Sequence, residues 1–314
     1  MAAPAKTLLD LVEATDNIPL DFDFTTLYRL YLSDDPRPHG ILTPSNVARL
    51  PWTPDFKINH SDRTVHLIDT SAGASPGPAF SASLQRIVDA CLSQKIFPQL
   101  NGQHSEHFRV LGANYPVTLE RYVSPLFGTV SLGAHMTAYV GSGRDMKIWV
   151  AKRSAKIFTY PGKLDTSVAG GVKAGDSPLE CIVAESDEEA SLDRDFVRQN
   201  VVATGMVSYM GNSRRNDTIQ PVVLYVYDLQ TPEDMILKPQ DDEVESFTLM
   251  TVDEIFEAML GGKFKTNCCA IMIDFFVRHG IVTEENEPNY LELITRLRRR
   301  LPVPLAPSKN TASS

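Results

Sequence analysis

The sequence is poor in cysteine and lacks the patterns in which cysteine usually does chemistry. Its 314 residues include four cysteines, Cys91, Cys181, Cys268 and Cys269. They form no CxxC pair, and none stands near histidines at the spacing of a zinc site. This usage argues against a disulfide framework and a zinc finger, and it is typical of reduced thiols in an intracellular protein.

Positive charge and long apolar runs are also scarce. The chain has 39 acidic and 30 basic residues, a formal net charge of −9, which argues against binding to nucleic acid polymers or membrane surfaces. No apolar stretch reaches the roughly 18 residues of a membrane span. The N-terminus lacks the basic and apolar regions of a signal peptide. We therefore expect a cytoplasmic protein in which divalent cations mediate any contact with phosphates.

The sequence pattern changes from about Leu126, and the domain boundary that it favours lies near residue 120. Before it, a short helix is followed by an aromatic-rich segment of helix or strand type within residues 7–32. TPSNVARL (43–50) has the Thr-Pro start of a short helix, while FKIN and TVHLI alternate like strands. The Gly-, Ser- and Pro-rich residues 70–83 begin as a loop and lead into the helical pattern LQRIVDACL. The N-terminal part is therefore predicted to be α+β.

Beyond residue 120 the pattern is richer in strands. TVSLGAHMTAYV, MKIWVAKRS, VVATGMVSYM and QPVVLYVYDL read as strands, and VDEIFEAML and NCCAIMIDFFVRHG read as helices, the latter with Gly280 at its C-terminal cap. NYLELITRLRRRLPVPLAPSKNTASS reads as one basic amphipathic helix with a frayed tail, and its RLRRR run as a solvated helix end.

Two glycines, a loop and an acidic helix make up residues 170–192, GGVKAGDSPLECIVAESDEEASL. Ser177 and Pro178 form a helix start, and Glu180 stands in capping-box relation to Ser177. The apolar stripe of this helix is predicted to contain Leu179, Ile182, Val183, Ser186 and Ala190. Glu185, Glu188 and Glu189 stand at i, i+3 and i+4, so they are predicted to share another face.

This acidic face has two interpretations on the residues alone. It is either a solvated surface of an acidic protein or a site for hard cations such as Mg²⁺, which prefer oxygen ligands and bind together with substrate phosphates. Like charges at i and i+4 repel, and bound cations would remove that repulsion. Gly170 and Gly171 favour the second interpretation, because glycine permits close backbone approaches.

The glycines and the three carboxylates together resemble the Nudix box. Gly171 matches its leading glycine, Glu185 the glutamate of its Arg-Glu pair, and Glu188 and Glu189 its Glu-Glu pair. The loop from Gly171 to Asp176 is one residue shorter than the usual pattern. Ala184 replaces the arginine, a cation that would orient Glu188, and Ser191 replaces a glycine. The resemblance implies that the metal-binding carboxylates are retained.

Longer stretches resemble one Nudix subgroup, the thiamine-pyrophosphokinase-related hydrolases of fungi and plants. They include LERYVSPLFGTVSLGAHMTAYV, KIWVAKRSAKIFTYPGKLDTSVAGGVKAGDS and FKTNCCAIMIDFFVRHG. The resemblance implies an α+β fold, with a Nudix α/β/α sandwich around a mixed sheet after a smaller α+β accessory domain. The implied division is 1–120 for the accessory domain, 121–285 for the Nudix domain and 286–314 for a C-terminal helix and flexible tail.

The resemblance also implies the chemistry. Mg²⁺, or Mn²⁺ in its place, would be held by Glu185, Glu188 and Glu189, with the Gly171 carbonyl as a further ligand. The enzyme would hydrolyse a small-molecule diphosphate to a monophosphate. The subgroup suggests oxidised or damaged thiamine diphosphates, such as oxothiamine and oxythiamine diphosphate, as substrates.

Residues outside the helix are candidates for the remaining roles. Glu243 and Glu245 are candidates for the general base, against the alternative of a solvated acidic loop. Arg153 and Lys163 are candidates for contact with phosphate, against the alternative of surface charge. The aromatic residues Tyr139, Trp149 and Tyr160 are candidates for stacking on a substrate ring, although strand aromatics usually belong to the core. His135 is expected to be structural rather than substrate-lining.

Two other functions stay open at this point. One is a nucleotide clean-up hydrolase that acts on 8-oxo-dGDP or another nucleoside diphosphate derivative. The other is a catalytically weak binding module, in which the missing arginine reflects lost turnover. Retention of all three carboxylates disfavours the binding module. The expected assembly is a monomer or a homodimer, and the sequence leaves the role of the N-terminal part undecided.

Overall fold

A five-strand mixed sheet with helices on both faces forms the C-terminal two thirds of the chain. The computed structural model describes residues 7–33, 35–98, 100, 106–213 and 217–308. The strands of the large sheet are β7 (Ser131–Val140), β8 (Lys147–Arg153), β11 (Val202–Ser213), β12 (Thr218–Gln230) and β13 (Val244–Thr251). Two short strands, β9 (Leu164–Asp165) and β10 (Val168–Gly171), attach to it. The predicted mixed sheet is confirmed, because β12 and β7 are parallel while their other neighbours are antiparallel.

The sheet order is β11-β12-β7-β8-β13, and the sheet splits between β7 and β8. These two strands pair only at Tyr139–Ile148 and Val140–Lys147. Past that point, β10 pairs with β7 and β9 pairs with β8. The gap that opens between β7 and β8, called the wedge below, is filled by the turn from β9 to β10. Ser167 fixes this turn by donating to the Trp149 carbonyl (2.5 Å).

Helices cover both faces of this sheet. One layer contains α1 (Leu8–Thr15), α7 (Val252–Leu260), α8 (Thr266–Arg278) and α9 (Tyr290–Leu297). The other contains α5 (Pro178–Ala190) and α6 (Arg194–Asn200). Each layer closes its own apolar core against the sheet. Within the described part of the chain, no helix is long and apolar enough to cross a membrane.

The N-terminal elements form a third apolar core. They comprise β1 (Tyr28–Leu32), β2 (Pro38–Leu42), α2 (Pro44–Arg49), β3 (Phe56–Asn59), β4 (Thr64–Leu67), α3 (Pro76–Ser93), β5 (His107–Arg109), β6 (Thr118–Glu120) and α4 (Ser124–Phe127). Four strands make a sheet of order β2-β1-β4-β3, and β5 pairs with β6. Thr43 caps α2 as predicted. Helix α3 begins at Pro76, within the segment 70–83 that was predicted to begin as a loop. Proline is compatible with the first turn of a helix, and Gly77 and Phe80 are buried there.

The C-terminal segment departs from its prediction. Helix α9 ends at Leu297, so the RLRRR run is not a solvated helix end. Arg299 is buried and pairs with the buried Asp16 (2.8 Å), and Leu301 and Val303 enter the core beside α5. The pattern misled because an ion pair 283 residues apart in sequence leaves no local signal. The predicted frayed tail at 309–314 lies outside the described residues.

Candidate metal and diphosphate site

Helix α5 begins as its sequence predicts. The Ser177 side chain accepts from the Glu180 backbone N–H (3.1 Å), and Pro178 occupies the first turn. The capping box is only half formed, because the Glu180 carboxylate instead binds the Arg198 guanidinium at 2.5 and 3.0 Å. Ser191 ends the helix at φ +53°, the left-handed conformation that favours the glycine of the Nudix pattern.

The three glutamates of α5 differ sharply in burial. Glu189 is only 7% exposed, Glu185 is partly buried, and the side chain of Glu188 is 57% exposed. The face that these glutamates were predicted to share is therefore not uniformly exposed, since Glu189 lies beside the apolar stripe. The rest of the stripe is as predicted, with Ile182, Val183, Ser186 and Ala190 buried. Glu185 and Glu189 thus face the interior of the wedge, and Glu188 lies at its rim.

Strand β10 approaches α5 closely because it contains glycine. A Cβ on Gly170 would lie 2.3 Å from Glu185 Oε1, closer than any real contact. The Ala169 backbone N–H donates to Glu189 Oε2 (3.1 Å). The split sheet therefore presents a glycine and a backbone donor to two carboxylates one turn apart.

Burial and mutual repulsion disfavour the ionised forms of the carboxylates of Glu185 and Glu189. Burial raises the pKa of Glu185 to about 7, and the charges of Glu188 and Glu243 add to the effect. Burial likewise raises the pKa of Glu189 well above its ordinary value, with Glu185 as the next cause. A cation among these oxygens would favour their ionised forms. The donor set consists of hard carboxylate oxygens and fits a divalent ion such as Mg²⁺.

A small pocket opens beside these carboxylates. Its lining is Ala151, Arg153, Asp165, Thr166, Ala169, Glu189, Glu243 and Val244. Glu243 is placed there by the start of β13, where its carbonyl accepts from the Ser154 N–H (2.8 Å). Three carboxylates, those of Asp165, Glu189 and Glu243, and one guanidinium therefore line this pocket.

Arg153 is held rigidly in this pocket. Its Nη1 donates to Asp165 Oδ2 (2.8 Å), while Nε and Nη2 donate to the Thr159 carbonyl at 3.2 and 3.0 Å. Its side chain keeps 14% exposure. A planar guanidinium fixed in this way presents its remaining donor capacity in one orientation, which suits recognition of phosphate.

Asp165, at the turn between β9 and β10, is a residue that the sequence analysis missed. It is buried and receives Arg153, the Lys265 ammonium (3.3 Å) and the Cys268 thiol (2.6 Å). Although burial opposes its charge, the cations Lys265 and Arg153 hold its pKa well below the ordinary range. No local pattern in LDTS marks it, because its partners come from β8 and α8.

Asp165, His135 and Cys268 offer ligand atoms within 4.8 Å of one another. A divalent ion does not fit there, because Asp165 already binds an ammonium and a guanidinium. His135 hydrogen-bonds Thr166 Oγ1 through Nδ1 (2.8 Å), and burial lowers its pKa to about 4, so it stays neutral. We interpret the triad as a buried network that orients Arg153, in line with the structural role expected for His135.

The remaining candidates divide between the site and its surroundings. Glu245 lies on the neighbouring surface, where it pairs with Lys152 (2.6 Å). Lys163 donates to the Gly262 carbonyl (2.6 Å). The Gly171 carbonyl receives the Cys181 thiol at 3.6 Å. Of the two candidate bases, only Glu243 lines the pocket.

The aromatic candidates are dispersed. Tyr139 stacks edge-on with Phe275 and His279 and lines a separate cleft of about 570 Å³ at the far ends of β7 and β12. Trp149 is buried in the core beside α5. Tyr160 is 47% exposed in the loop after β8, with φ +50°. The structure therefore does not bring Tyr139 or Trp149 to the carboxylates.

Comparison with known proteins decides the family of the central segment. The family model of the NUDIX domain matches residues 134–266, which include β10, α5 and the pocket. These residues form a Nudix domain. The fold is accordingly the Nudix fold, mixed in its sheet and of the α+β class, with additional elements at the N-terminus.

Relatives extend beyond that segment. An uncharacterized protein of Saccharomyces cerevisiae is 41% identical over 217 residues, which cover 65% of this chain and 64% of the relative. Nudix hydrolase 20, chloroplastic, of Arabidopsis thaliana is 40% identical over 190 residues, covering 60% of this chain and 50% of that protein. A MutT protein structure from Methanosarcina mazei shares 18% identity at a TM-score of 0.35, covering 50% of this chain and 96% of that one. The chain thus spans about half to two thirds of the curated relatives it matches.

Proposed function

We propose that this protein is a divalent-metal-dependent hydrolase that cleaves a small-molecule diphosphate to a monophosphate. One observation carries the proposal: Glu189 and Glu243 line a pocket that also holds the fixed guanidinium of Arg153, and Glu185 lies close enough for the charge of Glu243 to raise its pKa. Nudix enzymes generally use divalent metal ions, and the Nudix domain of this chain retains the carboxylates that would bind them. A pure binding module has no need of so repulsive a cluster.

Each residue has a task in such a reaction. Glu185, Glu188 and Glu189 would hold Mg²⁺, which supplies positive charge to neutralise the diphosphate and to favour deprotonation of water. Arg153 binds a phosphoryl oxygen and stabilises the charge that develops on it. Glu243, which lines the same pocket as Glu189, accepts the proton of the attacking water. The buried Asp165 keeps Arg153 in place.

For the substrate we propose a thiamine-type diphosphate, in particular an oxidised form such as oxothiamine diphosphate. This choice of substrate is supported by the resemblance of the long stretches around residues 170–192 to the thiamine-pyrophosphokinase-related subgroup. Damaged diphosphates of this kind would compete with intact thiamine diphosphate for its enzymes, so their cleavage would be a repair reaction.

The test is phosphate release from oxothiamine diphosphate, thiamine diphosphate and 8-oxo-dGDP, with Mg²⁺ and with EDTA. We expect Mg²⁺-dependent release, fastest from the oxidised thiamine form, and a loss of about a hundredfold or more in a Glu189→Gln variant. Faster cleavage of 8-oxo-dGDP would keep the site and discard the thiamine substrate. No turnover of any diphosphate, with binding still measurable, would contradict the hydrolase and favour a binding module.

A further inference from the structure

The N-terminal elements touch the Nudix loop directly. The His107 carbonyl on β5 accepts from the Ala174 N–H (2.7 Å), and Arg109 Nη2 donates to the Asp176 carbonyl (3.3 Å). The Ala174 N–H and the Asp176 carbonyl both lie in the loop between β10 and α5. The β5–β6 ribbon therefore fixes the loop that leads into the acidic helix.

The contact is tightest at Gly171. A Cβ on this residue would lie 2.7 Å from Phe108 Cζ and 3.5 Å from Arg121 Cζ. Any side chain at 171 would therefore displace the aromatic ring, whereas Arg121 would lie at ordinary contact distance. Since Gly170 approaches Glu185 and Gly171 approaches Arg121, the same two-glycine strand brings an N-terminal cation to the edge of the carboxylate cluster.

Arg121 is oriented by three neighbours. Its guanidinium lies 5.6 Å from the ring centre of Phe108 and 6.0 Å from that of Tyr122, and Nη1 binds Glu106 Oε2 at 3.2 Å. The side chain nevertheless stays 43% exposed. A guanidinium that rests on aromatic faces with open donors is organised to bind an oxyanion from solvent.

The local charge balance is positive. Lys173, the second residue after Gly171, approaches the other oxygen of Glu106 at 3.9 Å, so one carboxylate faces two cations. Arg121, Lys173 and Glu106 thus sum to one positive charge. Lys173 and Arg121 are also the cations whose charges act on Glu185. The chain as a whole is acidic. Arg121 and Lys173 therefore form a local positive surface beside the carboxylates, which would attract an anionic substrate.

We propose that Arg121, supplied from outside the Nudix domain, is a substrate-binding residue that grips the diphosphate together with Lys173. The inference rests on the proposed function, since the diphosphate is the ligand of the same site. It assigns the N-terminal elements a role in the reaction: they complete the phosphate-binding edge. It also adds a positive charge that acts on Glu185 from outside α5, in the residue that follows β6.

The test compares Arg121→Gln and Arg121→Lys with a matched control, Arg86→Gln. Arg86 also lies in the N-terminal part, pairs with Asp55 (2.5 Å) and is 46% exposed, so its loss removes a similar surface ion pair that does not involve Glu106. Two readouts are used: KM and kcat for the diphosphate substrate, and the affinity for methylenediphosphonate, which cannot be hydrolysed, measured calorimetrically with Mg²⁺.

We expect Arg121→Gln to raise KM and to weaken methylenediphosphonate binding by about tenfold or more. Mg²⁺ affinity and thermal stability should follow those of Arg86→Gln, and Arg121→Lys should recover part of the binding. Equal behaviour of Arg121→Gln and Arg86→Gln would overturn the inference, as would absence of diphosphonate binding to the wild-type protein. Binding that depends on Arg121 without turnover of any substrate would refute the hydrolase while leaving the inference intact.

Discussion

At the scale of single residues, burial separates three glutamates that look equivalent in the sequence. Glu188 is exposed and lies 3.9 Å from Arg194, which already binds Asp187. Glu189 has the Ala169 N–H against its Oε2 and is almost fully buried. Because an unpaired buried carboxylate is costly, Glu185 and Glu189 depend most on a cation for compensation. They, rather than Glu188, are expected to dominate metal affinity.

The raised pKa of Glu185 predicts a pH-dependent instability of the metal-free protein. Between its ordinary pKa of 4.5 and its folded value of about 7, the folded chain holds a proton that the unfolded chain releases. Stability is therefore lost as pH rises through this window, and the full penalty is present above pH 7. Glu185→Gln removes the penalty, so in EDTA at pH 8 the variant should be more stable than wild type by about 2 kcal/mol.

Urea unfolding at pH 4.5 and pH 8 in EDTA measures this difference. At pH 4.5 most of the advantage of Glu185→Gln should vanish, and at pH 8 saturating Mg²⁺ should reverse it. Glu188→Gln is the matched control, since its side chain is 57% exposed and its replacement should change stability by no more than about 0.5 kcal/mol. The same advantage at both pH values would show that charge on Glu185 is not its cause.

Sequence reasoning reached the three glutamates because a helix places i, i+3 and i+4 together. It did not reach Asp165, whose partners lie on β8 (Arg153) and at the start of α8 (Lys265 and Cys268). It did not separate Glu243 from Glu245 either, because residues two apart in a strand are expected to share a face, and the register shift between Val244 and Ser246 leaves no signal in the sequence. Residue roles that depend on register or on distant partners are invisible in a single sequence.

At the scale of elements, the site depends on how closely β10 approaches α5. The helix start was predictable from Ser177 and Pro178, and the strands from their alternation. The split between β7 and β8 was not, since it follows from which strands pair with β9 and β10. Gly170 links this packing to the site, because at this residue the strand lies against the Glu185 side chain and leaves no room for a methyl group.

Gly170→Ala tests that contact. The new Cβ would clash with the Glu185 carboxylate and displace it from its position beside β10. We expect kcat/KM to fall by about tenfold or more, since a displacement of about 1 Å at a catalytic group has effects of that size or larger. Gly175→Ala is the control, because a Cβ there meets nothing within 4 Å. If both variants keep wild-type kinetics, the close approach does not matter for the reaction.

At the scale of the whole molecule, residues far apart in sequence close around the Nudix domain. Helix α1 shares a core with α7 and α8, and Leu301 and Val303 share one with α5. The β5–β6 ribbon meets the loop before α5. The predicted division at residues 120 and 285 stays a prediction, but neither flanking part is merely appended to the sheet. Such contacts were not predictable, because each part shows only its own local pattern.

The central claim is that the carboxylates of α5 bind a divalent ion, and calorimetric titration of the metal-free full chain with Mn²⁺ tests it most directly. The wild-type protein should bind Mn²⁺, and Glu189→Gln should weaken binding by about tenfold or more, since it removes an anionic ligand. Glu245→Gln, whose carboxylate pairs with Lys152 on the surface, should bind like wild type. Equal Mn²⁺ affinity in all three proteins would contradict the account.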